Sequence, residues 1–237
     1  MDLKDKVAVV TGASSGLGLQ FSRSLVERGM YVFGLARSED KLQDLARELG
    51  DRFTPVRCDV RLEADVDAAF TRVEQDAGRL DVLVNNAGLG FRGDAVDTPS
   101  DTWDTLMETN ARGVFLCARR AVPTMARQNE QNGFGGYIVN IASIAGLLGN
   151  PTLSAYNASK FAVRGFSEAL MKEVRGDGIK VTCMYPGSIE TNFSQTSGQH
   201  ISSNAMTPQD LASTLIHLLE TSDNYLISEL VMRPLRP

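Results

Sequence analysis

Tyr156 and Lys160 are the two residues of this sequence best suited to proton transfer. On a helix, a spacing of four places both side chains on one face, one turn apart. A phenol ordinarily loses its proton near pH ~10, so at neutral pH it is a poor base but a usable acid. A fixed cation beside it favours the phenolate, and half-ionisation at neutrality needs a pKa shift of about 3 units. One lysine supplies only part of that shift, so the pair predicts a proton-transfer device that works with a charged partner.

The same spacing also fits an ordinary lysine that lies along a half-buried tyrosine. The beginning of the chain favours the chemical interpretation. Residues 6–11 form a short run rich in β-branched side chains, which suits a strand buried on both faces. This run leads directly into Gly12, Gly16 and Gly18, and a helical pattern follows. Strand, glycine-rich turn and helix together bring backbone N–H groups and a helix N-terminus to a phosphate.

The glycine spacing also overlaps two other patterns. No Lys-Ser/Thr pair follows Gly18, so the turn is not a Walker-type phosphate loop. Residues 12–16 match the Gly-x-Ser-x-Gly elbow of esterases, but that fold needs several strands before its elbow and only 11 residues precede this one. The only histidines available as bases are His200 and His217. Dinucleotide binding is therefore favoured over hydrolysis.

Arg37 and Ser38 follow the second strand-like run, residues 31–36. Sites selective for NAD usually carry Asp or Glu at this strand end, about 20 residues past the glycines. Ala36 stands there instead. Because a guanidinium can bind a phosphate through two parallel hydrogen bonds, this end predicts NADP(H) rather than NAD(H). Ser38 is also expected to cap the next helix, and the two roles are compatible.

Composition bounds the remaining possibilities. With 237 residues, 43% of them hydrophobic, the chain can bury the core of one domain spanning residues 1–237. A net charge of −5 argues against a nucleic-acid surface. We find no apolar stretch near the ~20 residues of a membrane span and no signal peptide. Cys58, Cys117 and Cys183 lack metal spacing and are interpreted as packed thiols in a reducing, cytoplasmic compartment.

Strand-like and helical runs alternate along the chain, which predicts an α/β fold with a doubly wound, seven-stranded parallel sheet and helices on both faces. The predicted strands are residues 6–11, 31–36, 53–57, 81–85, 137–142, 179–185 and 226–231. The predicted helices are the one after the glycine turn and residues 39–48, 62–76, 101–109, 113–127, 156–174 and 208–220, with a polar loop at 128–136. Ligands of such sheets bind beyond the carboxyl ends of the strands. The segments expected there are the glycine turn, 36–37, 58–60, 85–88, Ser143 and 186–187.

In this order, the motifs resemble those of the short-chain dehydrogenase/reductase family in its classical form. The resemblance covers nearly the whole chain and rests on residues 11–18, residues 85–88, Arg37, the set Asn110, Ser143, Tyr156 and Lys160, and Pro186-Gly187 with Thr191. It implies a single-domain Rossmann fold and an NADP(H)-dependent oxidoreductase acting on a small carbonyl/secondary alcohol substrate. It also implies a homodimer or homotetramer formed through the helices at 113–127 and 156–174.

The resemblance implies a role for each of these catalytic residues. Tyr156 would be the general acid in reduction and the general base in oxidation. Ser143 would hydrogen-bond the substrate oxygen. Lys160 would hold the nicotinamide ribose and, together with the charge of the oxidised ring, lower the pKa of Tyr156. Asn110 would position a water that links Lys160 to solvent.

The resemblance also implies the cofactor contacts. Asp59 and Val60 would line the adenine pocket, Asn86 and Gly88 would support the adenosine ribose, and Thr191 would bind the carboxamide. The full implied cofactor set is Gly12, Ser14, Ser15, Gly16, Leu17, Gly18, Arg37, Ser38, Asp59, Val60, Asn86, Ala87, Gly88, Tyr156, Lys160, Pro186, Gly187, Ile189 and Thr191.

Structural alternatives stay open for several of these residues. Asn85 and Asn86 fit a role in bracing neighbouring loops as well as direct cofactor contact. Asn110 also fits a helix-kink residue, and Ser143 a cap at a strand end.

The substrate is not specified by the sequence. The tail after residue 226 resembles that of serine and 3-hydroxy acid dehydrogenases, yet Arg92 and Arg164 are the only basic residues placed to meet a carboxylate. Five side chains would make the pocket partly apolar or else pack within loops: Phe91, Leu147, Leu148, Leu153 and Phe193. Two other functions remain as alternatives, a non-catalytic NADP(H)-binding redox sensor and a nucleotide-sugar epimerase, which shares Tyr-x-x-x-Lys.

Overall fold

Seven parallel strands form one sheet in a computed structural model, which describes residues 1–191 and 204–236. The strands are β1 (Val7–Thr11), β2 (Tyr31–Ala36), β3 (Phe53–Arg57), β4 (Val82–Asn85), β5 (Gly136–Ile141), β6 (Ile179–Pro186) and β7 (Glu229–Met232). Their order is β3-β2-β1-β4-β5-β6-β7, and every neighbouring pair is parallel. The predicted doubly wound parallel sheet is confirmed.

Helices cover both faces of this sheet. They are α1 (Gly16–Glu27), α2 (Glu39–Leu49), α3 (Glu63–Ala77), α4 (Ser100–Met107), α5 (Gly113–Asn132), α6 (Ser154–Val174) and α7 (Pro208–Leu219). Strand β1 shows why the inner strands are apolar throughout. Ala8 and Val10 face the core formed with α1, α2 and α7, whereas Val7 and Val9 face the core formed with α3, α5 and α6. Alternate side chains of a strand point to opposite faces, so a strand covered on both sides needs an unbroken apolar run.

The sheet reverses its winding between β1 and β4, and this point positions the site. Strand β1 pairs with both β2 and β4, in registers that align Val10 with Gly34 and with Val84. All strands run in the same direction, so the turns that follow β1, β4 and β5 emerge at one edge. A crevice at such a switch point is where open α/β sheets bind ligands.

The prediction of a polar loop at residues 128–136 is wrong. Helix α5 continues to Asn132 and ends at Gly133, whose φ is +74°. Gln128 explains the extension. Its buried side chain accepts a hydrogen bond from Leu80 N at 2.7 Å and donates to Leu80 O at 2.9 Å and Gly135 O at 2.8 Å. A residue that looks loop-like by composition is thus a tertiary anchor for the segments leading into β4 and β5.

Two other sequence-based expectations can be compared with the fold. Cys58, Cys117 and Cys183 are buried and unpaired, which confirms packed thiols. The last strand spans 229–232 rather than 226–231. Among the described residues, no helix combines the length and the apolar character needed to cross a membrane.

Replacing Gln128 by alanine is expected to lower the free energy of unfolding by about 3 kcal/mol, because three buried backbone groups lose their partner. Urea denaturation measures the change. Gln131→Ala, which removes an exposed amide from the same helix, is the matched control and is expected to change stability by less than about 0.5 kcal/mol. Equal stability of the two variants would contradict the anchoring role.

Candidate active site

Ser143 and Tyr156 come together from different elements beside the carboxyl end of β5. Ser143 begins the 3₁₀ turn Ile144–Gly146, and its Oγ accepts a hydrogen bond from Ala145 N at 3.2 Å. Its side chain also hydrogen-bonds Tyr156, which lies in the first turn of α6 with 6% of its surface exposed. Ser143 is therefore both the strand-end cap considered from the sequence and a direct neighbour of the predicted acid/base residue.

Lys160 lies one turn further along α6 and is buried. Its Nζ donates to Ile141 O at 3.0 Å and lies 5.8 Å from the centre of the Tyr156 ring. Burial lowers the pKa of Lys160 to about 8, since the ammonium is removed from water. The predicted pairing of Tyr156 and Lys160 on one helical face is thus present.

The Tyr156 phenol is also buried, and burial has the largest effect on its pKa. Burial raises the pKa of Tyr156 to about 12, and the hydrogen bond with Ser143 opposes that rise only in part. Desolvation of the phenolate is the larger effect. The Tyr156 hydroxyl therefore carries its proton at neutral pH, which suits proton donation.

Asn110 lies in a π-helical turn, Glu108–Arg112, between α4 and α5. Its Oδ1 accepts from Leu89 N at 2.7 Å, and its Nδ2 donates to Leu89 O at 2.8 Å and to Ser159 Oγ at 2.9 Å. Asn110 thus lies at a helical irregularity, in line with the helix-kink alternative considered from the sequence. It is also part of the candidate site. Both amide hydrogens are used, so its side chain has no donor left for a relay water.

A buried polar ladder fixes α6 against the sheet. Asn85 and Asn140 are register partners on β4 and β5, and Asn85 Nδ2 donates to Asn140 Oδ1 at 2.8 Å. Asn140 Nδ2 donates in turn to Ser167 Oγ at 2.9 Å, and Ser167 donates to Val163 O at 2.7 Å within α6. For Asn85, the bracing role left open by the sequence is the one observed.

Thr11 and Asn86 brace the glycine turn. Thr11 Oγ1 accepts from Asn86 N and from Ala87 N, each at 2.9 Å, and Asn86 Nδ2 donates to Thr11 O at 2.9 Å. A Cβ on Gly18 would overlap Gly12 O and lie 2.6 Å from Asn86 Nδ2, so only glycine allows this approach of helix and turn. Asn86 therefore braces this turn. Sequence reasoning included Thr11 in the family motif but missed the bracing role of its side chain, because its partners lie more than 70 residues away.

The N-terminus of α1 is suited to a phosphate. Gly12 and Gly16 have φ values of +69° and +54°, which L side chains rarely adopt. Ser15 occupies the N-cap position without a side-chain cap, and the first turn of α1 carries no acidic residue. Within residues 1–191 and 204–236, the first N–H groups of the helix thus have no side-chain acceptor. Ser14 is half-buried and Ser15 exposed, while Leu17 packs into the core beneath them.

Arg37 and Ser38 lie exposed at the end of β2. Arg37 makes no ion pair within the described part of the chain, and its charge lowers the pKa of Asp59. Ser38 is at the N-cap position of α2, but its hydroxyl makes no capping hydrogen bond, so the expectation that it caps this helix is wrong. Within the described residues, the Arg37 guanidinium and the Ser38 hydroxyl thus have no hydrogen-bond or ion-pair partner, and such a pair at a helix N-terminus suits a phosphate group.

Arg61, which sequence reasoning missed, holds Asp59. Its Nε lies 3.0 Å from Asp59 Oδ1 and its Nη2 lies 2.6 Å from Oδ2, a bidentate pair. Hydrogen bonding to Arg61 is the main cause that keeps the pKa of Asp59 low. The neighbouring Val60 is buried, and a Cβ on Gly113 would approach it to 2.9 Å. The predicted adenine-pocket residues are thus preorganised by a local ion pair.

The segment after β6 closes the other side of the crevice. Pro186 O lies 3.5 Å from Ser143 Oγ, and Gly187 N donates to Met232 O at 2.8 Å. Ile189 forms a parallel bridge with Met206. Thr191 lies beside the glycine turn, where a Cβ on Gly16 would be 3.7 Å from its Cβ. Gly88 also borders the crevice, because a Cβ on this residue would lie 3.5 Å from Lys160 Nζ.

The predicted pocket residues have different surroundings. Phe91, together with Leu89, packs against the buried cluster that contains Tyr156. Leu147 packs against a neighbouring cluster, Leu148 is 53% exposed and Leu153 directly precedes α6. Phe193 and His200 lie outside the described residues. The observed packing places an apolar surface next to the Tyr156 side chain.

Arg92 and Arg164 differ as candidate anion ligands. Arg164 pairs with Glu229 at 3.5 Å and is thereby occupied. Arg92 Nε donates to Thr152 Oγ1 at 3.1 Å, and Arg92 makes no ion pair in the part of the chain that the structure describes. Across the same residues, no group of three or more His, Cys, Asp or Glu side chains is arranged to hold a metal ion.

Comparison with known proteins gives a consistent assignment. The sequence profile described as short chain dehydrogenase matches residues 6–202. An uncharacterized oxidoreductase of Staphylococcus aureus is 34% identical over 233 residues, 98% of each chain. A 3-ketoacyl-(acyl-carrier-protein) reductase from Brucella melitensis, complexed with NADH, has a TM-score of 0.91 at 29% identity and 99% coverage of each chain. A serine dehydrogenase complexed with NADP+ has a TM-score of 0.90 at 29% identity, with 95% of this chain and 94% of that chain covered.

Replacing Lys160 by methionine is expected to stabilise the protein. A pKa of about 8 instead of 10.5 means that burying the ammonium costs about 3 kcal/mol at neutral pH, while the lost hydrogen bond to Ile141 was worth about 1 kcal/mol. The free energy of unfolding at pH 7 should therefore rise by about 2 kcal/mol, as measured by urea denaturation.

The pH dependence of this stability difference tests whether desolvation of the Lys160 ammonium is its cause. The folded-state pKa of Lys160 is depressed, so the cost is fully present below pH 8 and disappears as the pH rises toward 10.5. The stability difference between Lys160→Met and the parent should narrow over that window. Lys172→Met, which changes an exposed lysine of the same helix, is the control. A difference that stays constant with pH would rule out desolvation as its origin.

Proposed function

The chain belongs to the short-chain dehydrogenase family of oxidoreductases, and we propose that it is an NADP(H)-dependent enzyme that interconverts a carbonyl and a secondary alcohol. One observation carries the proposal. Ser143, Tyr156 and Lys160 meet beside a glycine turn, and the helix N-terminus of that turn has no side-chain cap among the described residues and suits a phosphate. A protein that only bound the nucleotide would have no need of a buried phenol and a buried ammonium next to each other.

The proposed mechanism assigns one task to each side chain. The nicotinamide cofactor, when bound, supplies or accepts the hydride. In reduction, the Tyr156 hydroxyl donates its proton to the substrate oxygen, and Ser143 Oγ donates a hydrogen bond that stabilises the charge developing there. Lys160 Nζ holds a proton next to the phenol ring and stabilises the phenolate that remains. In oxidation, the Tyr156 phenolate accepts the proton from the alcohol.

The choice of NADP(H) over NAD(H) rests on the end of β2. Arg37 is exposed and without an ion pair among the described residues, and Ser38 leaves its hydroxyl free. No carboxylate occupies position 36, where an NAD-selective site would bind the ribose 2′-OH. The two similar solved structures differ in their cofactor, since one is complexed with NADH and the other with NADP+. The fold by itself therefore does not decide the cofactor preference.

The same proposal includes the cofactor contacts expected from the resemblance, the substrate class and the assembly. Leu89 and Phe91 beside Tyr156 favour a substrate with an apolar part next to its carbonyl carbon.

Phe115 on α5 and Phe161 on α6 are 42% and 41% exposed, which favours pairing of these helices in a homodimer or homotetramer. One sheet that contains every strand of the described residues supports a single domain over residues 1–237, and three buried free thiols support a cytoplasmic location.

Tyr156→Phe is expected to lower kcat for carbonyl reduction by at least about 10³-fold, because the proton donor is removed while the ring is kept. The measurement is NADPH consumption with a panel of ketones, aldehydes, 3-oxo acids and 3-oxoacyl thioesters. Fluorescence titration with NADPH should give an unchanged Kd in the variant. Retained turnover would refute Tyr156 as the acid, and absence of turnover in the parent with every substrate despite tight NADPH binding would favour a sensor.

Arg37→Ala is expected to raise KM for NADPH about 10- to 100-fold and to leave KM for NADH within twofold, because only the 2′-phosphate loses a charge-assisted partner. Initial rates with each cofactor give the comparison. Arg47→Ala, at the far end of α2, is the control and should affect neither value. An equal rise for both cofactors would mean that Arg37 does not read the 2′-phosphate.

A further inference from the structure

Asn157, the residue after the proposed acid/base tyrosine, makes a set of contacts that the proposed mechanism does not use. It is 6% exposed and lies in the first turn of α6. Its Nδ2 donates to Ala145 O and to Leu148 O, each at 2.6 Å, and its Oδ1 accepts from Asn150 N at 3.2 Å. One side chain thus holds three backbone groups of the segment that leads from Ser143 to α6, which we call the 144–153 loop.

These bonds bear directly on Ser143. The residue Ala145 donates its N–H to Ser143 Oγ and offers its carbonyl to Asn157 Nδ2. The next residue, Gly146, lies so close to α6 that a Cβ on it would be 2.7 Å from Lys160 O. The turn that orients the Ser143 hydroxyl is therefore attached to the helix that carries Tyr156 and Lys160, and Asn157 is the side chain that attaches it.

The far end of the 144–153 loop is attached as well, but by other groups. Thr152 O accepts from Gly93 N at 2.8 Å, and Thr152 Oγ1 accepts from Arg92 Nε at 3.1 Å. Thr152 has a φ of +64°, which is unusual and costly for a β-branched residue. A strained backbone persists only where its surroundings hold it, so the loop needs an anchor on each side. Asn157 is the anchor on the Ser143 side.

We propose that Asn157 is a positioning residue, which holds the Ser143 turn against Tyr156 so that the two hydroxyl groups meet on one substrate oxygen. This inference rests on the proposed function. Without the three bonds, the buried carbonyl of Ala145 would lack a donor, and Leu148 O would keep only the exposed 3.4 Å contact from Asn150 Nδ2. The turn would then move away from α6 to reach water. Ser143 would then no longer donate reliably to the substrate oxygen or stabilise the Tyr156 phenolate. Displacements of about 1 Å at such a site can reduce turnover about 10²-fold.

The test compares Asn157→Ala with two controls. Asn150→Ala removes only an exposed 3.4 Å contact from the same loop. Val73→Ala opens a cavity at α3, in a different buried cluster from the one that contains Tyr156. We expect Asn157→Ala to lower kcat at least tenfold with the Kd for NADPH unchanged, whereas both controls keep kcat within twofold at temperatures where each variant is folded. Asn157→Asp, which keeps the shape and one acceptor but loses both amide donors, should be impaired like Asn157→Ala.

The pH profile distinguishes positioning from loss of stability. Ser143 lowers the pKa of Tyr156, so weakening their hydrogen bond should move the acid limb of kcat/KM for alcohol oxidation to higher pH in Asn157→Ala. Val73→Ala should leave that limb in place although it also destabilises the fold. An unmoved limb together with near-parent kcat in Asn157→Ala would overturn the proposal.

Crystal structures of the parent, Asn157→Ala and Val73→Ala give a readout that does not depend on turnover. The expected result is a Ser143 Oγ displaced from the Tyr156 hydroxyl in Asn157→Ala alone. Should the parent reduce no carbonyl compound, the proposed function fails while this structural comparison still decides the positioning role. A Ser143 turn in its parent position in Asn157→Ala would refute it.

Discussion

The burial of one ammonium group, that of Lys160, constrains most of the surrounding structure. Its Nζ is held by the carbonyl of Ile141 at the end of β5, so α6 has to lie close to that strand end. Two glycines from different loops make this possible. A Cβ on Gly146 would meet Lys160 O at 2.7 Å, and one on Gly88 would lie 3.3 Å from Asn110 Oδ1 and 3.5 Å from Lys160 Nζ. The buried ammonium is tolerated because a backbone carbonyl accepts its hydrogen bond and the two glycines leave room around it.

The polar groups around this ion form a connected scaffold between sheet and helix. Asn85, Asn140 and Ser167 link β4 and β5 to the middle of α6, while Asn110 and Ser159 link the loop after β4 to its beginning. Each link lies in a buried region, where an unsatisfied amide would cost more than an exposed one. Helix α6 is consequently held at several points along its length, and the orientation of its reactive side chains follows from the sheet.

Much of this arrangement could be predicted from the sequence, since parallel strands deliver the residues at their ends to a common edge. The meeting of Ser143 with Tyr156 is such a case. Contacts between a side chain and distant backbone have no sequence signature, so Thr11 and the extension of α5 around Gln128 were missed. The burial that raises the pKa of Tyr156 has no local signature for a related reason, because it depends on packing from elements that the local pattern does not contain.

The position of Arg37 and Ser38 has an evolutionary consequence. They lie exposed at the end of β2, and within the part of the chain that the structure describes no hydrogen bond joins their side chains to the scaffold that holds α6. Substitutions there are free of the packing demands that restrict the interior around Lys160. Under the proposed function, nucleotide preference can therefore change through a few surface substitutions that leave the residues around Tyr156 and Lys160 unaltered. One scaffold can in this way serve with different nicotinamide cofactors while the reaction that it catalyses stays the same.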